Sequence, residues 1–85
     1  MQKQSYSQRY QLFLASLRTA RKSAGLTQVE AASRLKDTQT FVSKCERGER
    51  RVDVIELLDF LELYGADAPS FIRDLQLQFA GREKK

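Results

Sequence analysis

The chain contains no histidine, and its single cysteine, Cys45, stands among 85 residues. A lone cysteine cannot close an internal disulfide, and without histidine the tetrahedral ligand sets of structural zinc cannot be assembled. The same shortage removes the commonest general base and every Ser/His or Cys/His pairing for nucleophilic catalysis. The four glycines form no Gly-rich phosphate loop. No apolar run reaches the roughly 20 residues needed to cross a bilayer, and the opening MQKQSYSQRYQ lacks the apolar centre of a signal peptide. These absences lead to the expectation of a protein that is not an enzyme, uses no cofactor or metal, has no membrane partner and resides in the cytoplasm. An unpaired thiol suits that reducing compartment, with Cys45 acting as a small buried hydrophobe.

What is present is a basic front and an acidic back. Residues 1–51 carry eleven Lys/Arg against four Asp/Glu, a net +7, whereas residues 52–85 carry four against seven, a net −3. Such a division fits either a solubilising surface or a front that meets a polyanion. The length allows one domain, in which most apolar residues must serve a single core.

Five helices and no strand can be read, so the expected fold class is all-α. The first helix is expected from Ser7 to Ser23, with Tyr10, Phe13, Leu14, Leu17 and Ala20 on one face and Gly25 closing it. The second begins at Thr27, where Thr27-Gln28-Val29-Glu30 fits a capping box, and stops near Leu35. The third runs from the N-cap Thr38 to Arg47, with Gly48 just beyond. Glu49-Arg50-Arg51 is a charged loop. The fourth starts at Asp53 and is expected to turn Val54, Leu57, Leu58, Leu61 and Tyr64 inward before Gly65. The fifth follows Asp67, with Pro69 in its first turn, and carries Phe71, Ile72, Leu75 and Phe79. Residues 1–6 are expected to be a flexible N-terminal segment, 7–80 the folded domain and 81–85 a polar tail.

The third helix divides sharply. At about 100° per residue, Gln39, Thr40, Ser43, Lys44 and Arg47 fall within one arc of about 140°. Phe41, Val42, Cys45 and Glu46 occupy the opposite side. The first set has only hydrogen-bonding or cationic side chains and no carboxylate, which suits base edges: Gln pairs with adenine, Lys with guanine, Ser and Thr with several bases. An ordinary solvent-facing helix would also have a polar face, but it would have no reason to omit acids. The carboxylates Asp53, Glu56, Asp59 and Glu62 repeat along the fourth helix and read as a solvated face rather than an acid/base pair.

Gly25-Leu26-Thr27-Gln28, then Ala32, then Val42-Ser43-Lys44-Cys45-Glu46-Arg47-Gly48 resembles the lambda-repressor-like (Cro/CI, XRE-type) helix-turn-helix family over about Leu14 to Gly65. The resemblance implies a five-helix DNA-binding domain whose helix-turn-helix is formed by the second and third helices. It implies base contacts from Gln39, Thr40, Ser43 and Lys44, a phosphate contact from Gln28, and an ion pair between Arg21 and Glu46 that gives the inner-face carboxylate its partner. Arg47, Arg50 and Arg51, directly after the third helix, are candidate phosphate contacts beside the groove. Two positions depart from the family pattern. Ala31 stands where Leu is usual, thinning the core unless Phe41 or Phe13 fills it. Lys36 stands where the turn usually has a left-handed Gly.

The implied partner is double-stranded DNA in the prokaryotic cytoplasm or nucleoid. A homodimer reading a near-palindrome is the expected form, with Phe71, Leu75, Leu77 and Phe79 as candidate dimer contacts unless all of them pack within one subunit. The resulting expectation is a sequence-specific transcriptional regulator, a repressor or autoregulator with no separate sensing domain. The competing reading is a protein-interaction module, such as an antitoxin or adaptor, whose main partner is another protein.

Overall fold

The computed structural model describes residues 7–83, in five helices: α1 (Gln8–Ser23), α2 (Gln28–Leu35), α3 (Gln39–Arg47), α4 (Val54–Tyr64) and α5 (Ala68–Glu83). No strand occurs among the described residues. The expected N-terminal segment 1–6, and residues 84–85 of the expected tail, lie outside them.

Each helix starts on a side chain that accepts a backbone N–H otherwise left without a partner. Ser7 accepts from Tyr10, Thr38 from Phe41 and Asp67 from Ser70. Thr27/Glu30 and Asp53/Glu56 form reciprocal capping boxes. The ends of α1 to α4 share one device, a backbone N–H reaching back five residues: Leu26 to Arg21, Asp37 to Ala32, Glu49 to Lys44 and Ala66 to Leu61. That closure needs a left-handed residue just before the donor. Glycine supplies it three times, and Lys36 supplies it at φ 61° and ψ 42°, the one non-glycine residue at positive φ among those described.

α1 packs on α3, α4 and α5, and α2 packs on α3 and α4. Leu17, Ala31, Ala32, Val42, Cys45, Phe60, Leu61 and Tyr64 meet in the centre. Ala31 is fully buried, so the core accepts a small residue there. Phe41 packs against the same core and stacks nearly parallel to Phe60, ring centroids 6.1 Å apart. Phe13 meets Phe71 edge-on. These aromatic contacts join α1 to α5 and α3 to α4.

The structure corrects three sequence expectations. In α4 the inward face is Phe60, Leu61 and Tyr64, with Leu57 half-buried; Val54 and Leu58 point outward at 68% and 46% exposure. α4 is apolar on nearly every side, so spacing alone admits more than one inward face, and the large Phe60 ring takes the centre. Ile72 of α5 is likewise exposed. Finally, α5 continues through Gly81 to Glu83, because a glycine costs a helix only about 1 kcal/mol and ends it only when it turns left-handed.

Candidate nucleic-acid interface

The turn between α2 and α3 is three residues long, Lys36-Asp37-Thr38, and Asp37 Oδ1 accepts the Thr38 N–H at 2.7 Å. Val42, Cys45 and Glu46 of α3 are buried, which fixes the rotation of the helix. Gln39, Thr40, Lys44 and Arg47 are left exposed, with Ser43 half-buried among them.

Glu46, 3% exposed, is the hub beneath this surface. Arg21 reaches it from α1 through two parallel hydrogen bonds, Nε to Oε2 at 2.6 Å and Nη2 to Oε1 at 3.0 Å. Arg21 Nη1 also donates to the Leu26 carbonyl at 2.8 Å. The hydrogen bond to Glu46 outweighs burial and holds the Arg21 guanidinium more firmly protonated than usual. Both charges thus leave water with their hydrogen bonds satisfied, the condition under which a buried pair is tolerated. Arg18 Nη1 adds a bond to the Glu46 carbonyl at 3.2 Å.

The network continues outward. Gln28, first residue of α2, donates Nε2 to Glu46 Oε1 at 3.0 Å, and its own Oε1 accepts from Gln39 Nε2 at 2.8 Å. Gln39, a candidate base contact, is therefore tied through Gln28 to the buried ion pair. Further along α3, Arg47 donates Nη1 to Ser43 Oγ and Nε to Glu49 at 2.8 Å. The Arg47 bond holds the Glu49 carboxyl below its ordinary range.

The arginine loop is propped rather than loose. Arg50 lies over the Phe41 ring, 4.9 Å from its centroid, and bonds Glu56 at 2.8 Å through both Nη atoms. That bond lowers the Glu56 carboxyl, helped by the Asp53 N–H that the same carboxylate caps. Arg51 lies 4.6 Å over the Tyr10 ring, and the Tyr10 hydroxyl accepts the Val52 N–H at 3.1 Å. Tyr10, Phe41, Glu56 and Arg18 are supports that sequence reasoning did not single out. Tyr10 and Arg18 lie 42 and 28 positions from the groups they hold, and Phe41 and Glu56 meet Arg50 across the turn of a loop, so helical spacing gives no signal for them.

The helix-turn-helix domain family matches residues 12–70 of this chain. A solved structure of an XRE-family like protein from Pseudomonas syringae pv. tomato str. DC3000 superposes with a TM-score of 0.78 at 47% sequence identity, covering 82% of this chain and 85% of that chain. The chain belongs to the XRE-type helix-turn-helix family of DNA-binding domains. No curated protein matches it.

In this helix-turn-helix protein α2 and α3 form the motif, and the surface just described is the outer face of α3. The four residues considered for a dimer contact lie elsewhere and are not equivalent. Leu75 is buried and Phe71 packs against the core, so neither is free for a partner. Phe79 is half-buried with the Arg9 guanidinium 5.3 Å over its ring, and Leu77 alone of the four is largely exposed, at 65%. Cys45 is fully buried, and burial raises its thiol pKa, so it behaves as a core residue. No helix among the described residues is long and apolar enough to cross a membrane.

Proposed function

We propose that the protein is a sequence-specific transcriptional regulator that reads a near-palindromic operator through the major groove, as a repressor or autoregulator. The observation that carries this reading is the carboxylate-free face of α3, anchored from below by Glu46. Gln39, Thr40, Ser43 and Lys44 supply base-edge donors and acceptors. Gln28 holds Gln39 in one orientation and offers the α2 N-terminus to a phosphate, where backbone N–H groups and the helix dipole favour an anion. Arg47 exchanges Glu49 for a phosphate on binding, and Arg51 grips the backbone beside the groove. Arg50, held between Phe41 and Glu56, keeps the loop in place and adds to the local positive field.

The test is selection from random duplex DNA at physiological salt, run in parallel with a Gln39→Ala/Lys44→Ala variant. Enrichment of one near-palindrome that the variant no longer prefers supports the reading. Binding that is steeply salt-dependent yet enriches no sequence overturns it and leaves a protein-interaction module as the better account.

A further inference from the structure

The outer face of α3 carries no acid of its own, yet the loop after it folds one back. Gly48 turns left-handed at φ 81°, and the Glu49 N–H closes on the Lys44 carbonyl at 2.9 Å. That closure lays Glu49 against the end of the helix. Its Oε2 accepts from Arg47 Nε at 2.8 Å, while Arg47 Nη1 donates to Ser43 Oγ. The Arg47 bond first, with the Lys44 charge as a smaller influence, holds the Glu49 carboxyl below its ordinary range.

The two ion pairs that follow α3 are built differently. Glu56 takes Arg50 through both Nη atoms, also accepts the Asp53 N–H, and has a side chain only 24% exposed. It is held from two sides. The Glu49 side chain is 52% exposed and that of Arg47 54%, and among the described residues the Glu49 carboxylate accepts from Arg47 alone. An exposed pair of this kind is weak. The Arg50 pair is a strut, whereas the Arg47 pair opens to a competing anion.

We propose that Glu49 is an autoinhibitory residue: in the free protein its carboxylate fills the place on Arg47 that a DNA phosphate takes, and so holds down the affinity for every duplex. The inference rests on the DNA-reading function above and adds the residue that limits the strength of its grip. Carboxylate and phosphate are both planar-fork partners for a guanidinium, so what Arg47 gives to a phosphate must first be withdrawn from Glu49. The exchange is blind to sequence, because phosphate contacts carry no base information. Glu49 therefore lowers the affinity for operator and unrelated DNA by the same factor and leaves the choice of sequence to the base-reading residues.

Four proteins form the test: the unaltered chain, Glu49→Gln, Arg47→Ala and the double variant. Glu49→Gln keeps the bulk of the side chain, and the closure on Lys44 uses only the backbone, so the melting temperature is expected to stay unchanged. Fluorescence anisotropy on a short duplex of unrelated sequence, at fixed salt, is the first readout. Glu49→Gln is expected to tighten binding by roughly two- to fivefold. In the Arg47→Ala background the same change is expected to leave a gain below about 1.5-fold, because the group it acts through is gone. A carboxylate that merely repels phosphates would instead give an equal gain in both backgrounds. An equal gain, no gain, or weaker binding by Glu49→Gln overturns the proposal. The second readout repeats the comparison on the selected operator, where the same factor is expected; a gain confined to one of the two duplexes also overturns it. Failure of the selection to yield any operator sinks the sequence-reading function instead, and the unrelated duplex still decides the role of Glu49.

Discussion

The Arg21–Glu46 pair allows a test with a large expected effect. Arg21 is 7% exposed and Glu46 3%, and the two oxygen–nitrogen contacts are 2.6 and 3.0 Å. Removing one partner leaves the other charge buried without compensation, which costs about 3–5 kcal/mol. Glu46→Leu strands Arg21 with only the Leu26 carbonyl, and Arg21→Met strands Glu46 with only Gln28. For a chain of 85 residues whole-domain stability is about 4–13 kcal/mol, so either single change removes a large part of it. The double variant Arg21→Met/Glu46→Leu replaces both charges with apolar groups of similar bulk and is expected to recover most of that loss, since such exchanges are often neutral or stabilising. Urea unfolding followed by far-UV circular dichroism on all four proteins gives the coupling energy, expected at about 3 kcal/mol or above. A coupling below about 0.5 kcal/mol would refute the view that these residues act as one unit. The double variant also isolates the functional link. It is expected to fold, yet its Gln28 has lost the carboxylate that orients Gln39, so discrimination between operator and random DNA should fall although no base-contacting residue has changed.

Other perturbations follow from single features. Lys36→Gly removes the left-handed strain at φ 61° while giving more freedom to the unfolded chain, for a net gain of about 0.5–1 kcal/mol and a melting temperature raised by a few degrees; a lower one contradicts the turn geometry. Tyr64 is buried, its hydroxyl makes no hydrogen bond among the described residues, and burial first, then the Glu46 charge, pushes its pKa up from 10 to about 12. The folded state therefore holds this proton more tightly than the unfolded chain. Stability linked to this proton is level below pH 10 and falls by roughly 2–3 kcal/mol as pH rises through 10 to 12. Tyr64→Phe should flatten that alkaline fall and, at neutral pH, be neutral or stabilising by up to about 1 kcal/mol; a variant as alkali-sensitive as the parent refutes the assignment. Arg47→Ala should weaken DNA binding equally for all sequences and reduce the slope of log K against log salt by about 0.9, whereas a change in preferred sequence would make Arg47 a base reader.

What could be read in the sequence was chemistry that acts within four residues. Thr27 with Glu30, and Asp53 with Glu56, announced their capping boxes because both partners lie in one turn. Gly25, Gly48 and Gly65 announced three helix ends because only glycine takes the left-handed closure without strain. Lys36 closes the fourth end, and nothing in its own chemistry says so; its place became apparent from the surrounding family pattern. The inward face of α4 was misjudged for a different reason. Val54, Leu57, Leu58, Leu61 and Tyr64 satisfy a helical stripe as well as Leu57, Phe60, Leu61 and Tyr64 do; Leu61 and Tyr64 turn inward as expected, and the choice of Phe60 over Val54 and Leu58 lies in how the Phe60 ring packs against Phe41. The arginine supports were out of reach because Arg50 meets Glu56 across a loop and Val52 meets Tyr10 42 positions away.

The same distinction explains why the reading surface is built as it is. A nine-residue helix is too short to hold itself in water, and α3 has nine residues. Its register must come from outside, and the supports divide the task. Val42 and Cys45, both fully buried, decide which face of α3 turns inward, but apolar burial is non-directional and leaves the fine aim of the helix open. Glu46 supplies direction, since two parallel bonds to Arg21 tolerate little displacement. The line from Arg21 through Glu46 and Gln28 to Gln39 carries that direction from α1 to the first exposed residue of α3. Arg50, bonded to Glu56 over Phe41, holds the opposite end through the loop. Side chains between two fixed ends, Thr40 and Lys44 among them, can differ from protein to protein without loosening the frame that aims them.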